Sequence, residues 1–195
     1  MSLREFLLQM EKEKEVLHVT DPVSPKFEIT YVLKSFDKQG PVLMFEKVKG
    51  CPNKIVANVC GSRKRLCTAL NVSGEQLYRR MLESWRCGEK PKIASSGAVE
   101  EKCEKNVDLS KLPILTHFEK DAGAYITSAV VHTKGFDGKT ENVSIHRLQV
   151  LSKKLLAIRL VPRHLYQLWT MAREAVIRQD RTNVAIVFNR LVRDR

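Results

Sequence analysis

YITSAVVHTK and ENVSIHRLQV, residues 125–134 and 141–150, are two ten-residue runs separated by a short segment containing Asp137-Gly138. Asp-Gly between two such runs is a strong signal for an antiparallel hairpin. The turn Ser152-Lys153-Lys154 then leads into LLAIRLV, a third strand that Pro162 stops because proline has no N–H for the ladder. Three long sequential strands followed by a helical pattern, RHLYQLWTMAREAVI, look like the beginning of a small β-barrel. NVAIVF supplies a last strand.

The second run does not alternate simply. A half-buried strand places apolar residues at every other position. Val143 and Ile145 share one parity, whereas Leu148 and Val150 share the other, so the apolar face changes sides around His146-Arg147. In a barrel packed against other elements both faces of a strand can be buried, and a bulge re-aims side chains next to a site.

The first 115 residues have a different character. Ser2 and Glu5 form a capping box that opens a helix with Leu3, Phe6, Leu7 and Met10 on one face. VLHVT, PVLMFEKV and KIVANVC read as strands, with a helix around Phe27, Tyr31 and Leu33 before the second. Ser62 caps a short helix through Leu70, and Ser73 with Gln76 forms a second capping box, opening a helix with Leu77, Met81 and Trp85 on one side. Residues 87–107 are polar and small and read as an extended connector with one short strand, anchored by Leu109, Leu112, Pro113 and Ile114. The fold class expected is α+β: an N-terminal α/β domain with its connector over 1–115, then the first part of an incomplete barrel over 116–195.

No apolar run approaches the ~18 residues of a membrane helix, and the N-terminus turns charged too soon for a secretory signal. The expectation is a cytoplasmic protein with no membrane partner. The five cysteines, at 51, 60, 67, 87 and 103, form no CxxC pair, so they read as reduced thiols rather than zinc ligands. The net charge of +12 invites a nucleic-acid reading. However, glutamates interrupt the basic residues, and the clusters at 62–65 and 159–195 lack interleaved aromatics. A solvated basic surface accounts for the charge without nucleic acid, and a phosphate-bearing ligand would use it too.

Donors stand out in the second hairpin strand and after the third. Arg147 offers a planar fork to phosphate or carboxylate. Asn142 offers an amide oxygen to a hard cation such as Mg²⁺ or Mn²⁺, and His164 could add a nitrogen. The plainer reading makes Asn142 a turn residue and His164 a surface histidine. Asn142 and Arg147 are five apart, so a regular strand points them to opposite faces. One site for both demands a kink, or Asn142 at the very start of the strand.

DAGAYITSAVV, DGKTENVSIHRLQV and LLAIRLVPRHLYQ together resemble the UbiD-like decarboxylases, over about residues 1–180. That resemblance implies prenylated flavin mononucleotide (FMN), supplied by a flavin prenyltransferase, with Mn²⁺ and usually K⁺, acting on α,β-unsaturated or aromatic acids. It implies Asn142 as a ligand of the metal that bridges to the cofactor phosphate. It implies that Ile145, His146 and Arg147 line the flavin, with Arg147 in the catalytic network, and that Arg159, Leu160 and Val161 form the next cofactor-binding strand. Arg163 and His164 fall at further flavin or metal contacts. The domain implied is a split barrel akin to flavin reductases.

SIHRLQV and RLVPRHLY are most similar to the archaeal branch, which includes the decarboxylase of trans-anhydromevalonate 5-phosphate in isoprenoid biosynthesis. Branches acting on 4-hydroxybenzoate or cinnamic-type acids resemble this stretch less. Members run to more than twice this length, and their acidic proton donor and acceptor and second metal carboxylate fall beyond residue 195. Glu141 and Asp137 read as turn residues rather than substitutes. The expectations left open are a truncated decarboxylase, half of a split enzyme with a separately encoded C-terminal half, or a non-catalytic flavin- or phosphate-binding remnant.

Overall fold

The computed structural model describes residues 2–36, 40–87, 95, 106–135, 139–177 and 184–187. The chain divides into two compact units, one built from Met1–Ser24 and Glu28–Val107, the other from Pro25–Phe27 and Asp108–Leu191. Each is a mixture of helices with one open sheet.

In the first unit, α1 (Leu3–Lys12) begins at the expected capping box: Ser2 Oγ accepts from the Glu5 N–H, and the Glu5 carboxylate accepts from the Ser2 N–H. β1 (Val16–Val19), α2 (Glu28–Ser35), β2 (Val42–Phe45) and β3 (Ile55–Ala57) follow, then α3 (Arg63–Leu70) and α4 (Leu77–Arg86). β2 is central, parallel to β1 and antiparallel to β3. Its four residues VLMF are all buried, which explains a run with no clean alternation. Phe6, Leu7 and Met10 pack with Val42 and Met44. Burying each such side chain contributes about 1.5–3 kcal/mol.

Two helices correct the sequence reading. α2 starts at Glu28, after Phe27 in a left-handed conformation (φ +71°), and buries Ile29 and Thr30 while Tyr31 stays exposed. In α4 only Leu77 is buried, and Met81 and Trp85 are exposed, Trp85 to 85%. At 3.6 residues per turn, positions four apart drift about 40° around the axis per step. Leu77, Met81 and Trp85 therefore do not share one contact line. The Ser73–Gln76 capping-box bonds form, but as a turn ahead of the helix. Most of the connector, with its expected short strand, lies outside the described residues.

His18 on β1 ties this unit together across elements. Its Nδ1 lies 2.6 Å from Glu46 and its Nε2 lies 2.8 Å from Glu11. The Glu46 hydrogen bond is the chief cause holding the imidazole above its usual pKa. Lys54, then His18, hold Glu46 below the usual carboxylate range. A raised folded-state pKa means the imidazolium's contribution is complete below the unfolded value near 6.5 and disappears as pH rises through the folded value. The urea midpoint of His18→Gln should therefore fall furthest below wild type near pH 6 and approach it by pH 9. A gap independent of pH would contradict this.

The second unit contains β4 (Tyr125–Lys134), β5 (Glu141–Val150), β6 (Leu156–Ile158), α5 (His164–Ile177) and β7 (Val184–Val187), preceded by a 3-10 turn at Leu109–Lys111. The sheet order is β6-β5-β4-β7, all antiparallel, so the three expected strands do meander and β7 returns beside β4. The sheet is open. The Asp137-Gly138 turn lies outside the described residues, and the Gly135 N–H donates to Thr140 O across its base. β6 ends at Ile158, so Arg159, Leu160 and Val161 follow the strand instead of forming it. α5 packs on β4 and β5 and buries Leu168.

Candidate functional site

The expected kink exists, but on the opposite strand. Ala129 pairs with His146 and Ile126 pairs with Leu148, so Thr127 and Ser128 together face the single residue Arg147. This is a bulge in β4. Both residues of the bulge are exposed, and Ala129, Val131 and Thr133 then alternate inward.

β5 itself keeps a regular register from Glu141 to His146. Its inward face carries Asn142, Ser144, His146 and then buried Leu148, while Val143, Ile145 and Arg147 point the other way. The apolar residues on that outer face are not buried: Val143 is 66% and Ile145 73% exposed. Asn142 and Arg147 thus lie on opposite faces of one strand, about 17 Å apart along it at ~3.4 Å per residue.

What lets one strand offer both faces to one ligand is its edge. β4 pairs with β5 along nearly its whole length, but β6 pairs only with Leu148, Gln149 and Val150. Among the described residues, no strand pairs with the other edge of β5 over 141–147. Along that edge Asn142, Ser144 and His146 stand on one side and Ile145 and Arg147 on the other. A ligand lying along that edge reaches side chains of both parities.

The polar side chains on the inner face are linked. Asn142 Nδ2 donates to Ser144 Oγ at 3.2 Å, and His146 Nε2 lies 2.9 Å from the same oxygen. Thr133 Oγ1 donates to the Asn142 carbonyl at 3.4 Å. With its nitrogen committed to Ser144, Asn142 directs its amide oxygen elsewhere, which suits a hard cation. Sequence reasoning gave Ser144 no role in a site, although Asn-x-Ser-x-His at period two is the pattern of three side chains on one strand face.

Glu141 sits at the hairpin base, 3.1 Å from Lys134 and 3.5 Å from His132, and the Lys134 hydrogen bond chiefly holds it below the usual carboxylate range. It is a committed ion-pair member. His164 is exposed at the start of α5, and the exposed Arg163 donates its N–H to Val161 O in the loop before it. Among the described residues, no three His, Cys, Asp or Glu side chains form a metal cluster, and no helix is long and apolar enough to cross a membrane. A 710 Å³ groove in the first unit, lined by Gln9, Arg63, Lys64, Cys67 and Asn71 among others, has no carboxylate or imidazole in its wall.

Residues 91–189 match the family described as 3-octaprenyl-4-hydroxybenzoate carboxy-lyase Rift-related domain, and residues 7–85 match the N-terminal domain of the same carboxy-lyase. The chain belongs to the UbiD family. Among this family, an anhydromevalonate phosphate decarboxylase of Methanosarcina mazei is 40% identical over 175 residues, covering 89% of this chain and 40% of that protein. The UbiD-class enzyme HmfF from Pelotomaculum thermopropionicum, solved in complex with FMN, superposes with a TM-score of 0.83 at 35% identity, over 90% of this chain and 40% of that one. An evolved dimeric form of the same UbiD-class enzyme, in complex with prenylated FMN, gives 0.83 at 35% identity, over 89% of this chain and 41% of that one. This UbiD chain therefore spans about 40% of the length of the relatives it matches.

Proposed function

We propose that this chain is the cofactor-binding part of a UbiD-type decarboxylase, and that prenylated FMN binds along the unpaired edge of β5. The observation that carries this reading is that edge, which no strand among the described residues pairs over 141–147, flanked by Asn142 and His146 on one face and Ile145 and Arg147 on the other. Bound there, the flavin would supply the electron sink for CO₂ loss. Asn142 would hold Mn²⁺, with K⁺ alongside, through its amide oxygen, and His164 is the second candidate ligand. Two protein donors are fewer than such a cation takes, so phosphate oxygens and water would complete the shell. Arg147 would hold an anionic group by its fork. Arg159, Leu160, Val161 and Arg163, beyond β6, are the further cofactor contacts in this reading, and residues 116–195 are the part that binds it.

The substrate proposed is the phosphorylated unsaturated acid trans-anhydromevalonate 5-phosphate. Its support is the 40% identity to a protein of that named activity, and the net charge of +12 suits a ligand carrying both phosphate and carboxylate. A second reading is a chain that binds flavin but needs another polypeptide for turnover. The described residues near β5 favour it, since the nearest carboxylate there, Glu141, is tied into ion pairs.

Co-production with a flavin prenyltransferase tests the cofactor assignment. The purified protein should carry flavin absorbance, and a spectrum without it contradicts the assignment. Supplying the unsaturated acid then separates the readings, since CO₂ release by this chain alone would contradict the second.

A further inference from the structure

We infer that Ser144 is a positioning residue that anchors the Asn142 side chain, and so holds its amide where a divalent cation would meet it. The inference rests on Asn142 being the metal ligand proposed above. An amide nitrogen only donates, so the 3.2 Å bond from Asn142 Nδ2 makes Ser144 Oγ the acceptor. The serine proton is then free to be donated to His146 Nε2 at 2.9 Å, which gives the hydroxyl a use for both its roles. All three side chains stand on the half-buried inner face of a regular strand segment, so backbone register brings them within reach of one another.

The hydroxyl can meet either end of the amide, with His146 Nε2 accepting or donating according to its tautomer, so what the bond fixes is the position of the Asn142 side chain. Ser144 therefore restricts the Asn142 rotamer without touching the ligand. Groups that orient a metal ligand in this manner typically change metal affinity 10–100-fold when removed. Alanine at 144 leaves the strand backbone as it is, and threonine restores a hydroxyl on a residue that strands accept.

Three forms of the protein should be compared: wild type, Ser144→Ala and Ser144→Thr. Mn²⁺ affinity is read from the free-ion electron paramagnetic resonance signal with FMN present, and the Asn142 side-chain NH₂ resonances are read by NMR. Expected is a hydrogen-bonded Asn142 amide proton in wild type that Ser144→Ala loses and Ser144→Thr keeps. A roughly tenfold or greater loss of Mn²⁺ affinity should accompany it in Ser144→Ala, with Ser144→Thr near wild type and unchanged thermal melting in both. Unchanged Mn²⁺ affinity in Ser144→Ala, whatever the amide does, overturns the inference. Wild-type protein that takes up no Mn²⁺ overturns the metal assignment of Asn142 itself, and is distinguishable because it appears before any variant is made.

Discussion

Arg65→Ala should destabilise the first unit by about 3–6 kcal/mol, from two hydrogen bonds of a charged donor at about 1.5–3 kcal/mol each. Arg65 is only 2% exposed, although its chain neighbours Arg63 and Lys64 are exposed. Its Nη2 donates to Gly40 O at 2.8 Å and to Asn58 O at 3.2 Å, and its Nη1 lies 3.6 Å from Glu15. The guanidinium therefore joins the end of α3 nearest its N-cap to the loops before β2 and after β3. Asn58 adds to the same junction, since its Nδ2 donates to Gly40 O and Pro41 O at 2.9 Å each from a left-handed backbone. A Cβ at Gly61 would overlap the Asn58 amide oxygen and crowd Arg65 Nη2, so this junction leaves no room for a larger residue.

Against a total of about 5–15 kcal/mol for a domain, a loss of that size shifts most of the population at moderate urea. Arg65→Lys should recover little, because one ammonium cannot reproduce a planar fork that spans two carbonyls and a carboxylate. Arg65→Met should fall between alanine and wild type, since it restores the buried stem and not the donors. Urea titration with hydrogen exchange at Val42–Phe45 measures all three. A loss below about 1 kcal/mol for alanine would mean that water replaces the guanidinium at Gly40 O and Asn58 O without hindrance, and would contradict this account.

Arg65 also shows where sequence patterning stops. Within Ser-Arg-Lys-Arg it reads as one of several surface basic residues, and nothing in local spacing separates it from Arg63. Its burial is decided by Gly40 and Asn58, 25 and 7 residues away. Conversely, β4 and β5 have the limits the sequence predicts, because alternation and an Asp-Gly turn are local signals. The Ser2 and Ser62 caps are local in the same sense, and both form. β6 was over-read by its last residues, since an apolar run shows what could pair and not how far a neighbour extends. The edge of β5 is invisible for the same reason: it exists because β6 is three residues long. Asn142, Arg147 and His164 were legible as chemistry, and the odd spacing of the first two already put them on opposite faces of a regular strand, whereas the placing of the bulge at Thr127-Ser128 of the neighbouring strand was not legible.

The division between faces leads to the other large effect. Arg147→Ala should weaken flavin retention by about 10–100-fold, the equivalent of one charge-assisted hydrogen bond of about 1.5–3 kcal/mol. Folding should be little changed, because Arg147 is exposed and β5 is held to β4 through backbone pairs on either side of it. Arg147→Lys should retain part of the binding, keeping the charge without the fork. The edge placement makes a stronger demand. A ligand confined to the outer face would respond to Arg147 and Ile145 and ignore the inner face, whereas one confined to the inner face would respond to Asn142 and His146 and ignore Arg147. A ligand along the edge answers to both, and Asn142→Ala should then act mainly through Mn²⁺ dependence while Arg147→Ala acts with or without the ion. Flavin occupancy, read from absorbance after gel filtration with and without Mn²⁺, distinguishes the three. Full occupancy in Arg147→Ala, or sensitivity confined to one face, would remove the flavin from this edge.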